Sequence, residues 1–281
     1  MISRIITGSI LAITFALCII LLPSFILGVL FTMLFVYAFI EWLSVAESSN
    51  TSKIVYTSLF ILLIFSSLDL SRDLFNNLIN YALSFWLFIA LTIILRPSFL
   101  RVVFMKFAPI FGLVSLYFSW VIIIYMSSQA SLPVINESIV TIFEDDNFDN
   151  TRGYFLFIIV IVSLADISGY IVGKTSGKIK LCENISPNKT LEGFLASLLI
   201  PTILSIFYFI YLNGYPMLIL DFLLIILCCI SCTIGDLYIS ILKRAYSKKD
   251  SGSLLPGHGG LLDRLDSYLP TIIIYYYWMF I

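Results

Sequence analysis

Long apolar stretches alternate with short polar ones along this chain, and the apolar stretches have helical length. They fall at about residues 5–22, 26–44, 54–70, 78–95, 107–127, 153–172, 193–213, 216–242 and 267–281, with Pro23 and Ser24 separating the first two. A helix rises 1.5 Å per residue, so a ~30 Å hydrocarbon layer needs about 20 apolar residues, which most of these runs supply. The pattern predicts an all-α polytopic integral membrane protein of about nine transmembrane helices. The last run, at roughly 22 Å, must begin earlier or stand with little tilt. Arg4 precedes the first run, but no small-residue cleavage site follows, so that run reads as a retained helix and not as a secretory leader.

Composition narrows the classes of function. Of 281 residues, 60% are hydrophobic and 12% charged, about half the ~25% of a soluble domain, which excludes a water-soluble globule. Lys and Arg number 16 against 17 Asp and Glu, for a net charge of -1, so no basic surface suggests a nucleic-acid partner. Cys18, Cys228, Cys229 and Cys232 sit inside apolar runs and Cys182 in a polar loop, with no framework spacing. They are expected to pack, and the Cys229-x-x-Cys232 pair has no second pair to complete a zinc site.

Charge also sets orientation. Short loops around 96–106, 174–192 and 243–266 are rich in Lys and Arg, which places them and the N-terminus in the cytoplasm. The 128–152 connection is acidic and is expected outside, as is the C-terminus. Polar residues gather late, so residues 1–150 read as scaffold helices and residues 151–281 as the catalytic region, with cytoplasmic loops 174–192 and 243–266.

Three constellations in that second region carry chemistry. Asp166, Tyr170 and Gly173 share a helical face, and a carboxylate inside a span requires a partner, a cavity or a cation. Gly169 to Thr175 does not have phosphate-loop spacing, and it leaves a helix, not a strand, so Lys174 is either a helix-end cation or a phosphate contact. Lys189 lies in Ser186-Pro187-Asn188-Lys189-Thr190, where Ser186 or Thr190 can cap the following helix. Farther on, Asp236, Ser240 and Lys243 or Arg244 stack at i, i+4 and i+7 or i+8. Lys249 and Asp250 follow, and then Gly257, His258, Gly259 and Gly260 lead into Asp263, Arg264 and Asp266. Carboxylates interleaved with cations beside a membrane suit a metal-bound polyphosphate, and hence phosphoryl or nucleotidyl transfer.

The run Ser240-x-Leu242-Lys243-Arg244-x4-Lys249-Asp250-x-Gly252-x2-Leu255-Pro256-x-His258-Gly259-Gly260-Leu261-x-Asp263-Arg264-Leu265-Asp266 resembles the signature of the phosphatidate cytidylyltransferases, or CDP-diacylglycerol synthases. The blocks beginning at Asp166 and at Ser186 resemble other motifs of that family. The resemblance covers roughly the last 115 residues and implies transfer from CTP to phosphatidate, giving CDP-diacylglycerol and pyrophosphate. It implies Mg²⁺, with a monovalent cation as a further candidate, and a homodimer in a bacterial cytoplasmic membrane. Asp236 and Asp263 are then the metal carboxylates. Lys243, Arg244 and Arg264 attend phosphates in catalysis, and His258 binds a phosphate oxygen or braces its turn. Asp166, Lys174, Lys189, Ser240, Lys249, Asp250, Gly259, Gly260 and Asp266 complete the substrate site. Two positions depart from the family pattern, Ile239 in place of a glutamate and Ile167-Ser168 in place of Thr-Gly. If Asp236 and Asp263 suffice for the metal, Ile239→Glu is expected to change turnover less than about tenfold. The alternatives are CTP-dependent transfer to another lipid phosphate, such as an isoprenoid phosphate, and, in a different class, a secondary transporter with Asp166 and Asp236 on an ion path.

Overall fold

A computed structural model describes residues 14–68, 70–128, 150–207, 219–254 and 259–280. In that part every apolar run carries helix: α1 (residues 14–21), α2 (Ser24–Val45), α3 (Asn50–Ser66), α4 (Arg72–Leu95), α5 (Pro97–Ser128), α6 (Asn150–Ser176), α7 (Leu191–Phe207), α8 (Ile219–Ala245) and α10 (Tyr268–Phe280). A four-residue helix, α9 (Leu262–Leu265), precedes the last. The protein is an all-α polytopic membrane protein. Among the described residues five helices, α2, α4, α5, α6 and α8, are long and apolar enough to cross a bilayer, while α3 and α7 have 17 residues each. Helix length alone therefore establishes fewer crossings than the nine expected. Phe25 at 82% and Leu95 at 73% exposed show that the outer face is apolar, as a lipid-facing wall requires.

Two local features depart from the pattern reading. The expected 96–106 loop is helical and forms the start of α5, which kinks at Phe107 (φ −128°, ψ 19°) just before Pro109. Proline lacks the N–H that would continue the ladder and its ring crowds the preceding turn, so the break falls there. Between α6 and α7 the chain forms an antiparallel ribbon, β1 (Lys180–Cys182) with β2 (Ser186–Thr190), too short for any alternating apolar pattern.

Helix α8 occupies the centre and packs on α5, α6, α7 and α10. Its Tyr238 is fully buried against Trp42, Trp86 and Phe104 and donates to the Phe111 carbonyl at 3.1 Å. The Trp42 indole N–H donates to the Ala108 carbonyl at 2.7 Å, bridging α2 to the kinked part of α5. Gly112 makes room for that indole, which occupies the place a Cβ would take. Helices α6 and α7 also pack backbone to backbone. A Cβ on Gly193 would lie 2.6 Å from the Gly169 carbonyl oxygen and 3.0 Å from the Gly173 Cα, so only glycine permits this backbone contact.

Candidate active site

The α6–α7 approach, the ribbon, the end of α8 and the α9 segment enclose a cavity of 880 Å³. Nine charged residues singled out by sequence line it: Asp166, Lys174, Lys189, Asp236, Lys243, Asp250, Asp263, Arg264 and Asp266. Asp166, Tyr170 and Gly173 all face it, as their helical spacing requires. Thr190 Oγ1 accepts the Gly193 N–H at 3.2 Å and so caps α7, which fixes the direction in which Lys189 leaves β2.

Two ion pairs organise the polar wall. Lys189 Nζ lies 2.5 Å from Asp236 Oδ2, while Ser240 donates to Asp236 Oδ1 at 3.2 Å from one turn along α8. Lys243 Nζ lies 2.6 Å from Asp263 Oδ1, with both side chains nearly buried. The other Asp263 oxygen accepts the backbone N–H of Ser251 at 2.8 Å and of Gly260 at 3.2 Å. Gly259 makes this possible with φ +82°, a conformation side chains rarely adopt, and a Cβ there would come 2.7 Å from Asp263 Oδ2. Burial disfavours the Asp263 charge, but Lys243 and the two N–H donors outweigh it and hold the carboxyl below the usual range. Asp266 behaves in the opposite way. Burial, reinforced by the charges of Asp236 and Asp166, pushes its carboxyl well above that range. Three carboxylates thus crowd one region of the cavity.

Other predicted residues lie outside this lining. Arg244 Nε donates to the Ile185 carbonyl at 3.2 Å and its Nη1 to the Lys248 carbonyl at 3.3 Å, which ties the ribbon turn to the end of α8. Lys249 is exposed to solvent, Ser240 acts through Asp236, and Gly259 and Gly260 act through Asp263. His258 lies outside the described residues. Ile239 is fully buried in the apolar core, so a glutamate there would be a buried, unpaired charge and not a spare ligand. Contrary to the tolerance expected from the sequence, Ile239→Glu should destabilise the core.

One residue was missed. Glu41, near the end of α2 in the scaffold half, is 6% exposed and accepts the Leu262 N–H at 2.8 Å and the Ser251 hydroxyl at 3.3 Å. A carboxylate inside an apolar run was the available signal.

A hard divalent cation takes oxygen ligands, and Mg²⁺ usually completes its shell with water and substrate phosphate. Asp236, with Asp166 and Asp266 beside it, fits that chemistry: oxygen donors, like charges in need of neutralisation, and an open polar cavity. Both predicted metal carboxylates are already engaged, Asp236 by Lys189 and Ser240 and Asp263 by Lys243 and the amides of Ser251 and Gly260, so a cation at either would displace a lysine. Among the described residues no group of three or more acidic, Cys or His side chains lies close enough to hold a metal ion, so substrate oxygens and water would have to supply most of its shell.

The sequence profile of the cytidylyltransferase family matches residues 2–281. The chain is 43% identical over 120 residues to a phosphatidate cytidylyltransferase of Staphylococcus epidermidis, covering 41% of this chain and 45% of that protein. It is 42% identical over 125 residues to the Bacillus subtilis protein of that name, covering 44% and 46% respectively. For the Mycobacterium leprae protein of that name the figures are 44% over 126 residues, covering 44% and 38%. The matched stretch spans less than half the length of each of these relatives.

Proposed function

The chain belongs to the cytidylyltransferase family, and from that premise we propose that it makes CDP-diacylglycerol and pyrophosphate from CTP and phosphatidate. The observation that carries this reading is the joining of Lys189, Asp236, Lys243 and Asp263 in one polar cavity at the ends of apolar helices. A phosphatidate phosphate oxygen attacks the α-phosphorus of CTP, the bond to the bridging oxygen breaks, and pyrophosphate leaves. A phosphate monoester is already ionised near neutral pH, so no base is required for the attack. Lys189 and Lys243 are each held by a carboxylate, which aims their ammonium groups before substrate arrives and reduces the reorganisation needed as charge develops. Asp236, with Asp166 and Asp266 at hand, and Asp263 from the signature would hold Mg²⁺, which supplies charge neutralisation on the leaving group. A monovalent cation is a further candidate for the same acidic region.

The lipid substrate can approach along α6. Tyr170 lines the cavity yet is 62% exposed, and the neighbouring Ile167 and Ile171 are also exposed on the outer face. Lys174 Nζ sits 3.5 Å from the Tyr170 hydroxyl and 5.7 Å from its ring centroid, a cation at the rim where a phosphate headgroup would pass. The remainder of the proposal is a homodimer in the bacterial cytoplasmic membrane with no nucleic-acid partner. Family membership removes the reason for a transporter reading.

The test is purified protein in detergent with labelled CTP, offered phosphatidate and an isoprenoid phosphate in parallel. Label should enter CDP-diacylglycerol with matching pyrophosphate release. Label only in the isoprenoid product would move the substrate, and no labelled lipid in either arm would overturn the activity.

A further inference from the structure

Glu41 belongs to a helix that otherwise forms apolar wall, yet its carboxylate is buried against the loop that leads into Asp263. Its orientation is fixed by its neighbour, since Trp42 is anchored on the Ala108 carbonyl and packed on Tyr238. Oε2 accepts from Leu262 N and Ser251 Oγ, whereas Oε1 is buried and has no hydrogen-bond partner among the described residues. Gly252 and Gly260 pack against the carboxylate: a Cβ at Gly252 would lie 3.0 Å from its Cδ, and one at Gly260 2.5 Å from Oε2. The same two stretches of chain are held from the other side, because the N–H groups of Ser251 and Gly260 both donate to Asp263. Ser251 is therefore shared, its hydroxyl bonded to Glu41 and its amide to Asp263.

An unpaired buried carboxylate oxygen works against stability, and a methionine of similar length would suit this helix better. A group that is unfavourable for the wall but shaped to the loop points to a role in the site. We propose that Glu41 is a positioning residue: it clamps Ser251 and Leu262 to one another so that the Ser251 and Gly260 amides hold Asp263 in line with Lys243. Its catalytic consequence rests on the cytidylyl-transfer reading, whereas the clamp itself does not.

The experiment compares Glu41→Met and Glu41→Gln in the full-length protein, measuring hydrogen exchange of peptides covering 250–264, thermal midpoint, and kcat with CTP and phosphatidate. Glu41→Met should keep a thermal midpoint at least equal to native while loop exchange rises tenfold or more and kcat falls at least tenfold. Glu41→Gln, whose amide oxygen still accepts, should stay within about twofold in exchange and threefold in kcat. A lower midpoint with equal loss of activity in both variants would mark a merely structural residue and overturn the proposal. Native loop exchange in Glu41→Met would overturn the clamp, and fast exchange with native kcat would overturn its part in the reaction. Should Glu41→Met fail to fold, Ser251→Ala removes one donor to Glu41 and keeps the amide on Asp263, and native exchange there overturns the clamp equally. If native protein transfers nothing to phosphatidate, the exchange data still judge the clamp while the activity reading fails separately.

Discussion

Helices α1–α5 and helices α6–α10 are both apolar and satisfy their hydroxyls alike, but the second group adds charged side chains that bridge one element to another. In both groups hydroxyls mostly bond back to their own helix, as Thr32 does to the Gly28 carbonyl, Ser84 to Asn80 and Ser205 to Pro201. A side chain satisfied within its own turn can face lipid without any partner helix. In the second group the decisive polar contacts join different elements, as in Lys189 to Asp236, Lys243 to Asp263 and Arg244 to the Ile185 carbonyl. Such contacts exist only when the tertiary packing is right, so the wall tolerates local change and the site does not. Glu41 is the buried carboxylate among the contacts that connect the two groups, with Lys248 donating to the Ser44 carbonyl at 2.7 Å beside it and Tyr238 donating to the Phe111 carbonyl farther along.

The largest effect should come from Asp263→Asn. Asparagine removes the charge facing Lys243 and turns one acceptor into a donor beside the Ser251 and Gly260 amides. Turnover should fall on the order of a thousandfold, or ~4 kcal/mol of barrier, in protein that remains monodisperse at saturating Mg²⁺. More than about a tenth of native turnover would show that the cross-element contacts are not what distinguishes this half.

Ile239→Glu should come next, costing roughly 3 kcal/mol or more of stability, because the side chain it replaces is fully buried in the apolar core. A thermal melt in detergent checks it, and a native midpoint would place the side chain in the cavity after all. Gly193→Ala should push α7 from α6, since its Cβ would meet the Gly169 carbonyl oxygen and the Gly173 Cα. The expected cost is about 1–3 kcal/mol, with activity falling in step as Lys189 is drawn from Asp236.

The pH dependence follows from Asp263, whose carboxyl is held below its ordinary value. A lowered folded-state pKa adds stability that is present above the unfolded value of about 3.9 and is lost as pH falls through the folded value. Exchange protection of the Ser251 and Gly260 amides should therefore persist at pH 4 and disappear only in stronger acid. The smallest effect is expected at Gly28→Ala in the wall, where a Cβ would make ordinary 3.7 Å contacts with Ile124 and Ser127. Activity should be unchanged and stability should rise by up to about 1 kcal/mol. A loss there would show that the wall is packed as tightly as the site.

The sequence by itself determined what depends on near neighbours. Hydropathy located every apolar helix, because a span is about 20 consecutive residues and its signal is summed along the chain. Spacing put Asp166, Tyr170 and Gly173 on one face, and the three polar constellations together singled out nine charged residues that share the cavity, five of them in the signature that ends at Asp266. Tertiary structure alone decided the partners. Lys243 pairs with Asp263 across 20 residues, Lys189 with Asp236 across 47, and Glu41 reaches Leu262 across 221. Arg244 and Lys243 are adjacent and equally basic, yet one faces the cavity and the other the ribbon, since a step of about 100° along a helix separates them. Ile239 points into the core for the same reason. Hydrogen bonds and ion pairs act over a few ångströms in space, and the chain reveals which residues lie that close only after its helices have packed.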